Sequence, residues 1–310
     1  MVAPHVSIAF SAYNEGDSVA RTVAAILRGT DYPSFDLIVH DDGSDDGCCD
    51  ALPGDSRLRV VRSERRHGVG GGKKIAIEAC DGPLLLVMDC HVAPAEPGWL
   101  RRLVDVTDEL DSRAVLSPII VPLDAATWRV EKGPRVLTHL KETFHVKWAG
   151  RVEPSRRYCE VSALRGAAKL MSRGTYEAMG GFDDSLSHGG EEADVSMRAW
   201  MAGYPSAYVP ASVLGHLFKA RSPFPRTYAD ATVSRLSVAY KCLEEENYAR
   251  VLRHNRDFFG RAGPWGPEVI RRALASIERR RPELDIARGE VRRRSIRPAE
   301  WVLERFAISL

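Results

Sequence analysis

Apolar runs and amphipathic stretches alternate along the first 122 residues of the 310-residue chain. Runs such as residues 6–10, 35–40 and 83–88 are typical of strands buried on both faces, as in a parallel sheet. The stretches between such runs have the apolar spacing of amphipathic helices, and the first of them ends at a glycine stop signal, Gly29. Because strand and helix alternate four times, the pattern predicts an α/β fold with a mostly parallel sheet and helices on both faces.

The pattern changes twice beyond that point. Between residues 123 and 159 the periodicity is lost, and the stretch fits a ligand-facing region or a surface segment equally well. Regular elements return from residue 166, and beyond residue 220 the sequence is predominantly helical. We therefore expect an α/β domain over residues 1–220 and a helical C-terminal extension over residues 221–310 that packs on it.

The apolar run 83–88 ends in an acid and an imidazole, Asp89 and His91. In an open α/β sheet, ligands bind at the carboxyl ends of the strands. A carboxylate oxygen and an imidazole nitrogen together suit manganese or zinc better than calcium. The two residues are therefore candidate metal ligands. A strand capped by two polar surface residues is the alternative, and for an isolated Asp-x-His it is the simpler one.

Three further polar clusters follow predicted strands or open predicted helices. An acidic turn over residues 41–47 follows the second strand. The glycine-rich segment 68–74 departs from the Walker and dinucleotide patterns, but its N–H groups and Lys73 can attract a phosphate; a flexible turn is the alternative. Glu191, Glu192 and Asp194 stand at the start of a helix, where the helix dipole favours acids, so capping competes with catalysis as their role.

Composition and charge narrow the class of protein. Lys and Arg total 44 against 42 Asp and Glu, and this balance gives no reason to expect a nucleic-acid partner. No apolar run has the length of a membrane span and the N-terminus has no signal-peptide pattern, so we expect a cytoplasmic protein. The six cysteines form no CxxC pair, which predicts free thiols. Arginines crowd residues 271–297, typical of solvated packing helices; contact with a membrane surface is the minority alternative.

Taken together, these blocks resemble nucleotide-sugar-dependent glycosyltransferases of the GT-A fold, over roughly residues 6–247. Residues 6–47 are similar to the opening of family 2 transferases. The later blocks resemble the polypeptide N-acetylgalactosaminyltransferases in five motifs: Asp-x-His at 89–91, Gly-Trp-Leu at 98–100, Gly-Gly-Glu at 189–191, Gly-His-x-Phe at 215–218 and Ser-Pro-Phe-Pro at 222–225. Several motifs in the same order are more specific than any one of them.

The resemblance implies a role for each matching residue. Asp89, His91 and His216 would ligate a manganese ion that holds the diphosphate of a UDP-sugar donor. Asp42 would lie at the uridine, and Glu191 would face the donor sugar or the acceptor. The wall of the nucleotide pocket would be formed by the segment that includes Ala12, Tyr13 and Glu15.

The sequence departs from the polypeptide enzymes beside the Gly-Gly-Glu motif. His188 and Glu192 stand where those enzymes have Trp and Asn. In family 2 transferases that invert the anomeric centre, the acid matching Glu192 is the general base, and Asp194 is a rival for that role. The polypeptide enzymes retain configuration, so the stereochemical outcome stays open.

The resemblance therefore predicts a metal-dependent glycosyltransferase that moves a hexose or N-acetylhexosamine from a UDP-sugar to a small-molecule, glycan or peptide acceptor. Residues 1–122 would form the nucleotide-sugar half of the catalytic domain, and residues 123–220 the acceptor half. Two alternatives remain: a non-catalytic module that binds sugar nucleotides or glycans, and a nucleotidyltransferase, although the latter needs a triphosphate loop that the sequence lacks.

Overall fold

The computed structural model describes residues 3–186, 188–219 and 227–310. The strands, in chain order, are β1 (Val6–Ala12), β2 (Phe35–Asp41), β3 (Leu58–Arg62), β4 (Leu84–Met88), β5 (Val92–Pro94), β6 (Val115–Pro122), β7 (Val136–Leu140), β8 (Val146–Arg151), β9 (Cys159–Glu160), β10 (Ala168–Ser172) and β11 (Ser206–His216). The Ser-Pro-Phe-Pro motif at 222–225 and the predicted boundary at residue 220 lie outside the described residues.

The helices, in chain order, are α1 (Ser18–Gly29), α2 (Gly68–Glu78), α3 (Trp99–Glu109), α4 (Arg173–Ala178), α5 (Glu191–Met201), α6 (Tyr228–Cys242), α7 (Glu245–Arg261), α8 (Gly266–Arg279), α9 (Arg281–Arg294) and α10 (Ala299–Arg305). In the described part of the chain, none of these helices combines the length and the apolar character needed to cross a bilayer.

The central sheet confirms the predicted α/β fold. Strands β3, β2, β1 and β4 are adjacent in that order and all parallel, and β6 and β11 form a second parallel pair. Strand β10 joins the two groups and runs antiparallel to β4 and β6. Apolar clusters cover both faces of the sheet, one around α1 and α3 and the other around α2, α4 and α5. Burial on both faces explains why β4 is a continuous apolar run.

The irregular stretch 123–159 contains a two-stranded hairpin. Strands β7 and β8 pair antiparallel outside the main sheet. The side chain of Trp148, on β8, is about one third exposed and contacts Phe218 edge to face, with ring centroids 6.5 Å apart. The hairpin therefore lies beside the segment that follows β11.

The C-terminal helices pack on the α/β part of the chain through α5. Trp200 of α5 contacts Trp301 and Phe306, with ring centroids 5.9 and 5.2 Å apart. These aromatic contacts belong to an apolar cluster that also contains the buried faces of α6 and α8. The six cysteines are all free and buried, as the sequence predicts.

Candidate active site

A cavity of about 280 Å³ opens at the carboxyl ends of β1 and β4. In the sheet order, β2 and β3 lie on one side of β1, whereas β4 lies on the other side. Successive strands are therefore added first on one side of β1 and then on the other, although β1 and β4 run parallel. Such a reversal of strand order leaves a crevice at the strand ends, which is where open α/β sheets bind ligands.

Three of the predicted metal ligands meet in this cavity. Asp89 and His91 follow β4, whereas His216 ends β11, which pairs with β5 so that His216 lies opposite Val92. His216 Nε2 lies 3.2 Å from Asp89 Oδ2, and the two imidazole rings are edge to face with centroids 4.7 Å apart. One ligand atom from each of the three residues lies within 4.8 Å of the others.

These residues fit a divalent ion by their chemistry and by an unused donor atom. One carboxylate and two imidazoles form a donor set that suits first-row metals. Nδ1 of His216 is buried and has no hydrogen-bond partner among the described residues. Burial lowers the pKa of His216 despite its contact with Asp89, which favours the neutral imidazole that binds metals. Burial raises the pKa of Asp89, but Lys73 and His216 outweigh it and hold the pKa well below its usual range.

Glu15 contacts His91 from the side of β1. Its Oε2 lies 3.3 Å from His91 Nδ1, and the same carboxylate is bonded to Lys219. Burial raises the pKa of Glu15, but the contacts with His91 and Lys219 outweigh it. The net pKa is lowered, so the carboxylate is ionised. A carboxylate on Nδ1 fixes the ring orientation and leaves Nε2 available as a ligand. Glu15 thus orients His91 in addition to lining the cavity.

The glycine-rich segment forms the first turns of α2, not a flexible loop. A Cβ at Gly70 would overlap the carbonyl oxygen of Asp183, and one at Gly72 would overlap Ser11 Oγ. The glycines are needed because the helix approaches these groups closely. This approach brings Lys73 to the cavity, where its Nζ lies 3.0 Å from Asp89 Oδ1 and the side chain is almost fully buried.

Only Asp42 of the acidic turn lines the cavity. Its carboxylate accepts hydrogen bonds from the N–H groups of His67 (2.7 Å) and Gly68 (2.9 Å), and its own N–H donates to the Ala12 carbonyl (2.8 Å). Burial raises the pKa of Asp42, although these N–H groups oppose the shift. Tyr13 also lines the cavity.

The other polar groups of the turn hold the loop after β1. Asn14 N–H donates to Ser44 Oγ at 3.2 Å, and Gly16 N–H donates to Asp46 Oδ2 at 2.9 Å. Asp41 accepts a hydrogen bond from the Ser44 N–H at 2.9 Å. These groups therefore have structural partners, whereas Asp42 faces the cavity.

The three acids at the start of α5 have different surroundings. Glu191 lines the cavity. Glu192 lies next to it and accepts a hydrogen bond from Gly166 N–H at 3.0 Å. Burial raises the pKa of Glu192, Arg165 opposes this shift, and Glu191 adds to it. Asp194 is 1% exposed, and neither Glu192 nor Asp194 is among the residues that line the cavity.

Asp194 belongs instead to a buried ion-pair cluster. Its carboxylate is bonded to the Arg198 guanidinium and lies 3.0 Å from Lys241 Nζ. Lys241 also pairs with Asp183. Both oxygens of Asp194 are engaged by cations, so its carboxylate belongs to this cluster and not to the cavity.

Sequence reasoning assigned no role to the loop before β10. Asp89 N–H donates to the Ala167 carbonyl at 2.9 Å, so this loop borders the cavity. It contributes Arg165, whose Nε lies 3.3 Å from Glu192 Oε1, and it leads into the buried Lys169. A lysine inside an otherwise apolar strand, Ala168 to Met171, was the signal available in the sequence.

The sequence is similar to known transferases. Polypeptide N-acetylgalactosaminyltransferase 11 of Xenopus tropicalis is 28% identical over 278 residues, which cover 82% of this chain and 46% of that protein. Polypeptide N-acetylgalactosaminyltransferase 12 of Mus musculus is 26% identical over 288 residues, which cover 87% of this chain and 49% of that protein. The chain thus spans about half the length of these curated relatives.

Two solved structures share the fold. The crystal structure of GalNAc-T7 with UDP, GalNAc and Mn²⁺ superposes with a TM-score of 0.73 at 18% identity, covering 98% of this chain and 57% of that one. The mannosyltransferase PcManGT of Pyrobaculum calidifontis, in complex with GDP-Man and Mn²⁺, has a TM-score of 0.57 at 18% identity, covering 90% of this chain and 76% of that one. Both comparisons support the GT-A fold.

The profile of one family, described as glycosyl transferase family 2, matches residues 7–164. This match extends from β1 to β9 and contains six of the cavity residues discussed above: Tyr13, Glu15, Asp42, Lys73, Asp89 and His91. Because it extends over just over half of the chain, the protein belongs to glycosyl transferase family 2.

Proposed function

We propose that the protein is a metal-dependent glycosyltransferase that transfers a hexose or N-acetylhexosamine from a UDP-sugar to an acceptor. One observation carries the proposal: the ligand atoms of Asp89, His91 and His216 converge in the cavity at the carboxyl ends of β1 and β4. The complexes of GalNAc-T7 with UDP and Mn²⁺ and of PcManGT with GDP-Man and Mn²⁺ support it, because both have this fold.

Within this proposal, Asp89, His91 and His216 hold a manganese ion. When bound, the ion would supply positive charge that stabilises the negative charge developing on the diphosphate as the diphosphate leaves the sugar. Lys73 adds a second cation beside Asp89. Asp42, fixed by two backbone N–H groups, is the hydrogen-bond acceptor for the uracil ring. Ala12, Tyr13 and Glu15 form the adjoining wall of the nucleotide pocket.

Within the proposal, Glu191 and Glu192 act on the sugar side of the cavity. Glu191 faces the donor sugar or the acceptor, and its Oε2 has no hydrogen-bond partner among the described residues. Glu192 is the candidate general base, because its raised pKa brings its proton affinity closer to that of a base working near neutral pH. If it deprotonates the acceptor, the product has inverted configuration. The anomeric coupling constant of the product, measured by NMR, distinguishes inversion from retention.

The acceptor binds, in this proposal, between the α5 acids and the β7–β8 hairpin. Trp148 and Phe218 form an aromatic rim there, and Phe218 also contacts the His216 ring, with centroids 4.7 Å apart. Residues 1–122 would supply the nucleotide side of the site and residues 123–220 the acceptor side. A cytoplasmic location remains a prediction from the sequence, as does any contact of the Arg-rich region 271–297 with a membrane.

A screen of sugar nucleotides tests the proposal. Purified protein is incubated with Mn²⁺ and each of a panel of UDP- and GDP-sugars, and nucleoside diphosphate release and thermal stability are measured together. We expect one UDP-sugar to raise the melting temperature and to release UDP, and excess chelator to abolish the release.

The other outcomes identify the alternatives. A donor that stabilises the protein but releases no UDP, with any acceptor from a glycan and peptide library, indicates a binding module. Pyrophosphate release from UTP and a sugar phosphate indicates a nucleotidyltransferase. Full UDP release in the presence of excess chelator contradicts the metal-dependent mechanism.

A further inference from the structure

One residue, Gly166, connects Glu191 and Glu192 of α5 to the candidate metal ligands through the two peptide groups that flank it. The Gly166 N–H donates to Glu192 Oε1 at 3.0 Å, and the Gly166 carbonyl accepts a hydrogen bond from Lys73 Nζ at 3.3 Å. Lys73 Nζ also lies 3.0 Å from Asp89 Oδ1. A continuous path of contacts therefore runs from Glu192 through Gly166 and Lys73 to Asp89.

Glu191 and Glu192 both lie close to Gly166. A Cβ built on Gly166 would lie 3.4 Å from Glu192 Oε1 and 3.5 Å from Glu191 Oε1. The two carboxylates are thus neighbours in a partly enclosed space, with the Glu192 side chain 19% exposed, and like charges there destabilise each other. A fixed position and a nearby positive charge are needed to keep both ionised.

Arg165 supplies one such charge, since its Nε lies 3.3 Å from Glu192 Oε1. Lys169 supplies a second charge and a fixed position. Its Nζ donates to the Arg165 carbonyl at 2.9 Å, and the residue is 2% exposed. Its backbone lies in β10, opposite Val87 of β4, so the sheet fixes the base of the side chain. The hydrogen bond goes to a carbonyl and not to a carboxylate, so the ammonium charge acts on the surrounding acids through space. Burial, followed by the charge of Lys73, lowers the pKa of Lys169 to about 8.

We propose that Lys169 is a positioning residue of the active site, which anchors the Arg165–Gly166 peptide and adds a buried positive charge to those of Arg165 and Lys73 around Glu191 and Glu192. The inference rests on the transferase function proposed above and adds a residue to its machinery. Lys169 acts through the peptide and the two acids, not by contact with the donor.

The charged groups around Lys169 and Glu192 come from five parts of the chain. Lys73 faces Lys169 from α2, Glu191 and Glu192 from α5, and Asp89 from the end of β4. Arg165 lies in the loop before β10, and Arg235 faces Glu192 from α6. Burial raises the pKa of Glu192 and Glu191 raises it further, whereas Arg165 and Lys169 lower it. Removing the Lys169 charge leaves the first two effects and takes away one of the opposing ones. The Glu192 carboxyl therefore takes up a proton at a higher pH.

The first test does not depend on turnover. Because Gly166 N–H is bonded to Glu192, its amide chemical shift reports whether that carboxyl is ionised. Protein labelled with [¹⁵N]glycine is titrated by NMR from acid to neutral pH, as the wild type and as Lys169→Met. We expect the midpoint of the Gly166 signal to move upward by about one pH unit in the variant, the size of shift typical of losing a nearby opposite charge. An unchanged midpoint overturns the proposal.

The second test measures donor hydrolysis. We expect Lys169→Met to lower kcat by about tenfold, less than the roughly 10²–10⁴-fold of a complete general acid–base contribution because Glu192 stays in place, with the donor KM nearly unchanged. The acid limb of its pH profile should move to higher pH. Lys169→Arg keeps the charge and should restore the acid limb, although not the full rate, because the longer side chain does not fit the buried space.

A matched control separates charge loss from position. Lys74→Met removes a partly exposed lysine next to Lys73, whose Nζ lies 2.8 Å from Asp184. It should leave kcat and the acid limb unchanged. If Lys169→Met and Lys74→Met lower kcat equally, Lys169 has only a structural role. The same conclusion follows if Lys169→Met lowers the melting temperature but shifts neither the Gly166 midpoint nor the acid limb of the pH profile. If the wild type hydrolyses no donor, the proposed function fails, whereas the NMR titration still decides the role of Lys169.

Discussion

His216 Nε2 lies 3.2 Å from Asp89 Oδ2, although 127 residues separate the two in sequence. The contact joins the end of β4 to the end of β11, two strands that do not pair with each other. It is carried by β5, which pairs with β11 and directly follows the Asp-x-His motif.

Asp89→Asn should abolish Mn²⁺-dependent UDP release and leave the fold intact. The amide cannot supply the negative charge that holds the ion, so we expect a loss of Mn²⁺ affinity and of activity of about 100-fold or more. Mn²⁺ binding by electron paramagnetic resonance and UDP release measure the two effects. His216→Ala should behave in the same way. Asp81→Asn, at an aspartate whose side chain is 85% exposed, is the control and should retain full activity; activity in both ligand variants would contradict the metal assignment.

Glu15→Gln should weaken Mn²⁺ binding without removing one of the three proposed metal ligands. The amide no longer accepts the Nδ1 proton of His91 as strongly, so the ring loses its preferred orientation. We expect Mn²⁺ affinity to fall about 10- to 100-fold, as for other partners of metal-ligating histidines. Calorimetric titration with Mn²⁺ measures this, and saturating Mn²⁺ should recover most of the rate. Affinity equal to that of the wild type would show that Glu15 does not orient His91.

Asp42→Asn should weaken donor binding more than it slows the chemical step. A hydrogen bond to a charged acceptor contributes about 1.5–3 kcal/mol, which predicts a rise of roughly tenfold or more in the donor KM. Asp45→Asn, in the same turn but exposed, is the matched control and should leave KM unchanged. A fall in kcat with KM intact would place Asp42 at the reacting centre instead.

Gly70→Ala should destabilise the protein, because its Cβ would overlap the backbone carbonyl of Asp183. Overpacking against backbone costs about 1–3 kcal/mol. Gly289→Ala, in α9, has nothing within 4 Å of the added Cβ and should stabilise by about 0.5–1 kcal/mol through helix propensity. Urea unfolding compares the two variants. Equal stability of both would show that α2 does not need the close approach.

Lys241→Met should destabilise the protein at neutral pH by about 3–5 kcal/mol, because it leaves Asp183 and Asp194 buried without a shared cation. Burial raises the pKa of Asp183, but Lys241 outweighs it, so the folded pKa is lowered. A lowered carboxyl pKa stabilises above the unfolded value, about 3.9, and this contribution is lost as the pH falls. The difference in the free energy of unfolding between wild type and variant should therefore shrink below about pH 4, the pKa of an unfolded aspartate. Denaturant unfolding at several pH values measures it, with Lys74→Met as a surface control that costs less than about 1 kcal/mol.

Much of the fold follows from local pattern. The alternation of apolar runs and amphipathic stretches predicted the α/β sheet, because the period of buried positions depends only on neighbours in sequence. Motif order also pointed to Asp89, His91 and His216 before any contact was known. The hairpin in residues 123–159 was not predicted, since its strands pair outside the main sheet and lack a continuous apolar run.

The surroundings of each candidate residue depended on long-range contacts. Asp194 and Glu192 stand in the same helical turn, yet only Glu192 reaches the loop before β10, while Asp194 is held by Lys241 from α6. No local pattern distinguishes two acids two positions apart, because the distinction lies in what packs against each side of the helix.

The sequence by itself determined the alternation of strands and helices and the placing of an acid and an imidazole at the end of β4. Only the tertiary structure decided that β10 enters the sheet antiparallel beside β4, which brings Gly166, Lys73 and Lys169 around the same acids. The physical reason is that strand order is set by the burial of whole faces across the sheet, a non-local free energy that local periodicity does not contain.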